Sequence, residues 1–251
     1  MTSAIMPGCE SYVVDAGPDG VLLLHGFTGN PTTLRSLAEA LAGAGLSVAL
    51  PRLPGHGTTL DDMMTTSWDD WSATALASYD DLTQRCRRVA VVGLSMGGGL
   101  AALVAQQRAT VAGGVYINPL VKPPMDALLD GLVQLLEAGV ETVESIGSDV
   151  KREGVVEASY DATPLGCAKS LFAGIARVHA GLDQITSPSL VLSSREDHVV
   201  TSDNGDDFVS MVSGPVERVW LENSYHVATI DNDQELVEAL TLSFVHKILG
   251  L

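Results

Sequence analysis

Three short stretches hold residue types that together make an activated nucleophile. The first, Gly93-Leu94-Ser95-Met96-Gly97, centres a serine in a Gly-x-Ser-x-Gly pattern. A serine hydroxyl is a weak nucleophile at its own pKa, so it needs a neighbouring base, and that base needs a group to orient it. The other two stretches supply candidates: Asp197 within Arg195-Glu196-Asp197-His198, and His226 within Ser224-Tyr225-His226-Val227. Such a set is suited to acyl transfer. The hydroxyl attacks a carbonyl carbon, the imidazole takes its proton, and the carboxylate holds the imidazole in the productive tautomer.

These residues are useful only if the chain brings them together, and the flanking elements predict that it does. Val89-Ala90-Val91-Val92 is a continuous apolar, mostly β-branched run, suited to a strand buried on both faces. Leu100 through Arg108 reads as helix. Ser95 therefore sits on a sharp strand-to-helix turn, where glycine at 93 and 97 leaves room for the crossing backbone. Asp197 follows a predicted strand at Ser189–Ser194, and His226 follows one at Val216–Leu221. Both then project over the rim that carries Ser95, in the chain order nucleophile, acid, histidine.

The alternatives rank below this set by position. Of six histidines, His25 and His56 precede the serine in turn motifs, His179 lies in a long insertion, and His246 lies in the last helix. His198 adjoins the candidate acid and is expected to point elsewhere. For the acid, Glu196 is the nearest rival, followed by Asp203 and Asp231. Stabilising a tetrahedral intermediate takes two donors facing its oxyanion. The main-chain N–H groups of Met96 and of Phe27, in His25-Gly26-Phe27-Thr28-Gly29 after an early strand, are the candidates.

The remaining chain supports an α/β class. Val21–Leu24, Ser47–Leu50 and Val111–Ile117 read as further strands, with a short edge strand at Tyr12–Val14. Helices alternate with them: one capped by Asn30-Pro31 and carrying Leu34, Leu37, Ala38 and Leu41, and one opened by Ser67-Trp68-Asp69-Asp70. The last helix is expected to be capped near Asp231-Asn232 and to carry Leu236, Leu240 and Phe244 on one face. This alternation predicts a mostly parallel sheet with helices on both faces. It breaks after Ile117. Residues 120–183 read as strandless, with helices at Met125–Glu144 and Ala168–His179. They are expected to form a helical cap inserted into a core of residues 1–119 and 184–251. Its leucines, among them Leu128, Leu132 and Leu135, supply apolar surface for a pocket, but helical spacing alone makes packing of the cap onto the body the commoner explanation.

Composition narrows the partners. The 251-residue chain carries a formal charge of −17, which disfavours nucleic acid and anionic membrane. Three distant cysteines imply neither a disulfide framework nor a zinc site, and no apolar run reaches membrane-spanning length. The N-terminal stretch lacks the basic start and apolar core of a signal peptide; Met6-Pro7-Gly8-Cys9 lacks the apolar lead of a lipoprotein site. A cytoplasmic location, no metal, no cofactor, no stable membrane insertion and a small-molecule ester partner are the resulting expectations. Oligomeric state stays open.

Taken with Pro51-Arg52-Leu53-Pro54-Gly55-His56-Gly57, Gly97-Gly98 and Asp197-His198-Val199-Val200, these motifs resemble the α/β-hydrolase superfamily over nearly the whole chain. The likeness is greatest to small bacterial carboxylesterases and monoacylglycerol lipases. It implies a Ser95–His226–Asp197 triad, an oxyanion hole at Phe27 and Met96, and a small cap over an apolar acyl pocket. Short- or medium-chain esters or monoacylglycerols are the implied substrates. Amide, thioester or carbon–carbon bond cleavage, or slow ligand binding on the same fold, are the alternatives. Dehalogenases and epoxide hydrolases resemble this fold but place an aspartate where Ser95 stands.

Overall fold

Two apolar runs, β2 (Gly20–Leu24) and β4 (Val89–Leu94), are buried at every position and pair in parallel at the middle of a seven-stranded sheet. The structure is a computed structural model that describes residues 3–251; Met1 and Thr2, part of the N-terminal stretch read above, lie outside the described residues. With β1 (Tyr12–Val14), β3 (Ser47–Leu50), β5 (Val111–Ile117), β8 (Ser189–Ser194) and β9 (Val216–Leu221), the order is β1-β3-β2-β4-β5-β8-β9. Only the edge strand β1 runs antiparallel, so the carboxyl ends of the other strands open on one rim.

Alternation along each strand divides the core between the two faces. Leu22, Leu24 and Val91 pack with α3 (Trp68–Arg85) and α4 (Met96–Gln107), while Val21, Leu23 and Val92 pack with α1 (Arg35–Gly43) and α8 (Gln234–Leu249). Helix α3 starts at the predicted capping box, the Asp70 carboxylate accepting the Ser67 main-chain N–H at 2.9 Å. Its buried stripe, Trp71, Ala75, Tyr79 and Leu82, matches the periodicity; fully burying a large apolar side chain stabilises by roughly 1.5–3 kcal/mol. In α8, by contrast, Leu236 is exposed and Val237, Thr241, Phe244 and Val245 are buried, because the helix begins at Gln234 and faces the sheet with a different stripe.

The insertion between β5 and β8 departs from the all-helical expectation. It contains two strands, β6 (Thr142–Glu144) and β7 (Ala162–Pro164), paired antiparallel. Three-residue strands joined across an irregular segment leave no readable alternation. The expected helix over Met125–Glu144 ends at Glu137: Gly139 takes φ +82°, and Val140 N–H bonds back to Leu135 at 2.9 Å. That is a glycine stop of the Schellman kind. Helix α5 (Asp126–Glu137) buries only Leu132, whereas α6 (Leu165–His179) sinks Leu171, Ile175 and Val178 into the core beside α3 and α4. A five-residue helix, α2 (Leu60–Met64), is capped by Thr59, and α7 (Asp203–Met211) precedes β9.

Candidate active site

Ser95 stands between β4 and α4 with φ +57° and ψ −121°, a backbone state that costs an L-residue roughly 1–3 kcal/mol. The surroundings impose it. The Ser95 N–H donates to Ile117 O at 3.0 Å, and the Ser95 carbonyl accepts from Gly98 at 2.8 Å and Leu120 at 3.0 Å. A Cβ at Gly93 would lie 2.0 Å from Gly97 O, and one at Gly97 would lie 1.9 Å from Leu24 O. The crossing of strand and helix is therefore open only to glycine at both positions.

The loops after β8 and β9, the last two strands of the sheet, bring acid and imidazole together. His226 Nδ1 lies 2.8 Å from Asp197 Oδ2, and the other carboxylate oxygen accepts the N–H groups of Val199 at 2.9 Å and Val200 at 2.7 Å. With its proton on Nδ1 facing a carboxylate, the ring keeps Nε2 as an acceptor. Asn118, at the end of β5, donates to His226 O at 2.8 Å and to Ser194 Oγ at 2.9 Å, while its own oxygen accepts Ser194 N–H at 2.7 Å. Burial drives the His226 pKa down, but the hydrogen bond and charge of Asp197, with Glu157 and Asp149, outweigh it and hold the pKa above the ordinary imidazole value.

Ser95 and His226 line one cavity of about 300 Å³, with Phe27, Leu120, Leu171 and Phe172 among its walls. The loop after β2 presses on the serine: a Cβ at Gly26 would lie 3.4 Å from Ser95 Cβ. Phe27 follows in that loop, and Met96 opens α4, where a main-chain N–H has no partner within the helix. Leu128, Thr163, Ala168 and Phe172 also line a second, apolar groove of about 640 Å³ between α5, β6, β7 and α6.

The remaining sequence candidates are engaged elsewhere. His25 Nδ1 donates to Gly26 O at 3.0 Å and its Nε2 accepts the Leu53 N–H at 3.1 Å; burial and the neighbouring His56 push its pKa down to about 3. His56 is likewise buried, with its pKa lowered to about 4. His198 turns to Asp149, Glu196 pairs with Lys151, Asp203 pairs with Lys122, and His179 meets Asp207. Asp231 is a main-chain acceptor, taking N–H bonds from Lys151 at 2.7 Å, Arg152 at 2.8 Å and Tyr225 at 2.8 Å.

Two cavity residues escape sequence reasoning altogether. Asp149 and Glu157 come from the irregular segment 145–161 and line the cavity beside His226. Burial raises the Glu157 carboxyl to about 7, opposed by His226 and reinforced by Asp149. No period or motif marks either one. Among the described residues, no group of three His, Cys, Asp or Glu side chains is placed to hold a metal ion, and no helix is long and apolar enough to cross a membrane.

Known proteins resemble this chain in sequence and fold. The profile of the alpha/beta hydrolase family matches residues 21–239, most of the chain. The chain belongs to the alpha/beta hydrolase family. A thermostable monoacylglycerol lipase of Bacillus sp. (strain H-257) is 43% identical over 250 residues, covering 98% of each chain. A carboxylesterase of Bacillus subtilis (strain 168) is 27% identical over 95% of this chain and 97% of its own. A solved structure from work on the metagenome-derived lipolytic enzymes LipS and LipT superimposes with a TM-score of 0.93 at 40% identity, covering 97% of this chain and 100% of the other. The expected alpha/beta hydrolase fold, a mostly parallel sheet between two layers of helices, is thus the fold observed.

Proposed function

We propose that this alpha/beta hydrolase is a serine carboxylic ester hydrolase acting on monoacylglycerols and related acyl esters. The observation carrying this reading is the Asp197–His226 pair opening, with the strained Ser95, onto one cavity that shares walls with an apolar groove. Ser95 Oγ attacks the ester carbonyl as His226 Nε2 takes its proton, and Asp197 orients the ring and stabilises its charged form. The N–H groups of Phe27 and Met96 receive the oxyanion. The protonated imidazole then releases the alcohol, and a water activated by the same ring hydrolyses the acyl-enzyme.

The cavity suits an ester with unlike ends. Asp149 and Glu157 make the wall beside His226 polar, and Leu128, Leu132 and Leu135 line an apolar groove of about 640 Å³ for an alkyl chain. Residues 120–183 act in this reading as the cap over the acyl side. The similarity to a monoacylglycerol lipase over 98% of the chain supports the same substrate class.

A fluorophosphonate should label Ser95 stoichiometrically, and the enzyme should turn over nitrophenyl esters and monoacylglycerols many times. Hydrolysis persisting in Ser95→Ala, or labelling at another residue, would overturn the assignment. A series of acyl lengths should show kcat/KM rising until the groove is filled.

A further inference from the structure

Segment 145–161 has no regular secondary structure, yet it is bonded to the loops that carry the acid and the base. Lys151 and Arg152 donate their N–H groups to Asp231, Lys151 Nζ meets Glu196 at 2.8 Å, and Val227 N–H donates to Asp149 O at 3.1 Å. Asp149 is the hub. Its Oδ2 accepts the main-chain N–H of His198 at 3.1 Å and that of His226 at 3.1 Å. Its Oδ1 lies 2.7 Å from His198 Nδ1, and the residue is only 9% exposed.

One carboxylate oxygen therefore bridges the loop after β8 to the loop after β9. One of its donors adjoins Asp197 in the chain, and the other belongs to His226 itself. A buried anion receiving several N–H donors is a strong, directional anchor, and removing it strands those donors. We infer that Asp149 is a positioning residue for the Asp197–His226 pair, seating the inserted segment against both loops so that the imidazole is aimed only while that segment is docked. This inference rests on the serine hydrolase reading above.

The charge of Asp149 adds a signature that simple packing lacks. The groups facing it are His198 and the His226 loop, with Glu157 of its own segment close by and Lys151 and Glu196 beyond His198. Together with Asp197 and Glu157, its negative charge favours the imidazolium form of His226. Neutralising it moves the acidic limb of the rate profile to lower pH, whatever happens to the plateau.

The test compares Asp149→Ala and Asp149→Asn with the wild-type full-length enzyme, folding being checked by circular dichroism and thermal melting. Asp149→Ala should lower plateau kcat by about 30- to 100-fold with KM changed by less than about threefold, as expected for a misaimed base. Fluorophosphonate labelling of Ser95 should slow in parallel. Asp149→Asn keeps an acceptor oxygen for both main-chain donors, so its plateau should fall less than about tenfold while its acidic limb shifts to lower pH. A folded Asp149→Ala with wild-type kcat and an unmoved limb would overturn the inference. If that variant does not fold, an unmoved limb in Asp149→Asn does so instead. Absence of Ser95-dependent turnover in the wild-type enzyme would instead strike the hydrolase reading, and this inference with it.

Discussion

Asp197 Oδ2 and His226 Nδ1 lie 2.8 Å apart, and each partner is fixed by further bonds. Asp197 is held from behind by the N–H groups of Val199 and Val200, and the His226 main chain is gripped by Asn118 at its carbonyl and Asp149 at its N–H. Replacing Asp197 with Asn keeps the shape but presents an amide donor where the ring needs an acceptor. Asp197→Asn should therefore retain its fold while losing about 10⁴-fold in kcat, measured by steady-state ester hydrolysis.

The raised pKa of His226 sets the pH response. Only the neutral ring accepts the serine proton, so activity is lost as pH falls through the raised value. The acidic limb of kcat/KM should have its midpoint above about 6.5, the pKa of a free imidazole. A chemistry-limited pH series on a nitrophenyl ester checks it, and a midpoint below that of free imidazole would contradict the arrangement.

Glu157 trades stability for its place in the cavity. Its carboxyl titrates near 7 in the fold, against 4.5 ordinarily, because burial disfavours the charged form. Between these values the folded chain binds more protons than the unfolded one, so stability falls as pH rises through the window. Glu157→Gln removes that penalty and should stabilise the protein at pH 8 by on the order of 2 kcal/mol, with little gain at pH 4. Urea melts at the two pH values read the difference.

Strain at the nucleophile predicts an unusual ranking of variants. Ser95→Gly relaxes the positive φ, whereas Ser95→Ala retains it. Both should abolish turnover. Ser95→Gly alone should gain roughly 1–3 kcal/mol, less the entropy cost of glycine, visible as a higher melting temperature.

The turn itself has no slack. A methyl group at Gly97 meets the Leu24 carbonyl at 1.9 Å, and backbone cannot rotate aside as a side chain does. Gly97→Ala should cost at least about 3 kcal/mol, or prevent folding, in chemical denaturation. The exposed Gly166, where an added Cβ meets nothing within 4 Å, serves as the control and should tolerate alanine.

Much of this site is written in local sequence, for definite reasons. Strands buried on both faces must be apolar throughout, which exposes β2 and β4 as short uninterrupted runs. The strand-to-helix crossing admits only glycine on either side of Ser95, so the nucleophile announces itself within five residues. Asp197 and His226 are found by a weaker rule, their place just beyond late strands, which works because parallel strands discharge their ends on one rim.

Tertiary structure alone decided the rest. Position along the chain already favours His226 over His198, but the partner of His198 appears only in the fold, where it turns to Asp149. The pairing of β6 with β7 and the delivery of Asp149 and Glu157 to the cavity both depend on the course of segment 145–161. That segment is held by contacts to residues far along the chain, and irregular backbone has no period to betray its partners. The chain thus marks Ser95, the proposed nucleophile, through short-range steric necessity. It leaves the surroundings of its base to long-range contacts that exist only once the sheet is assembled.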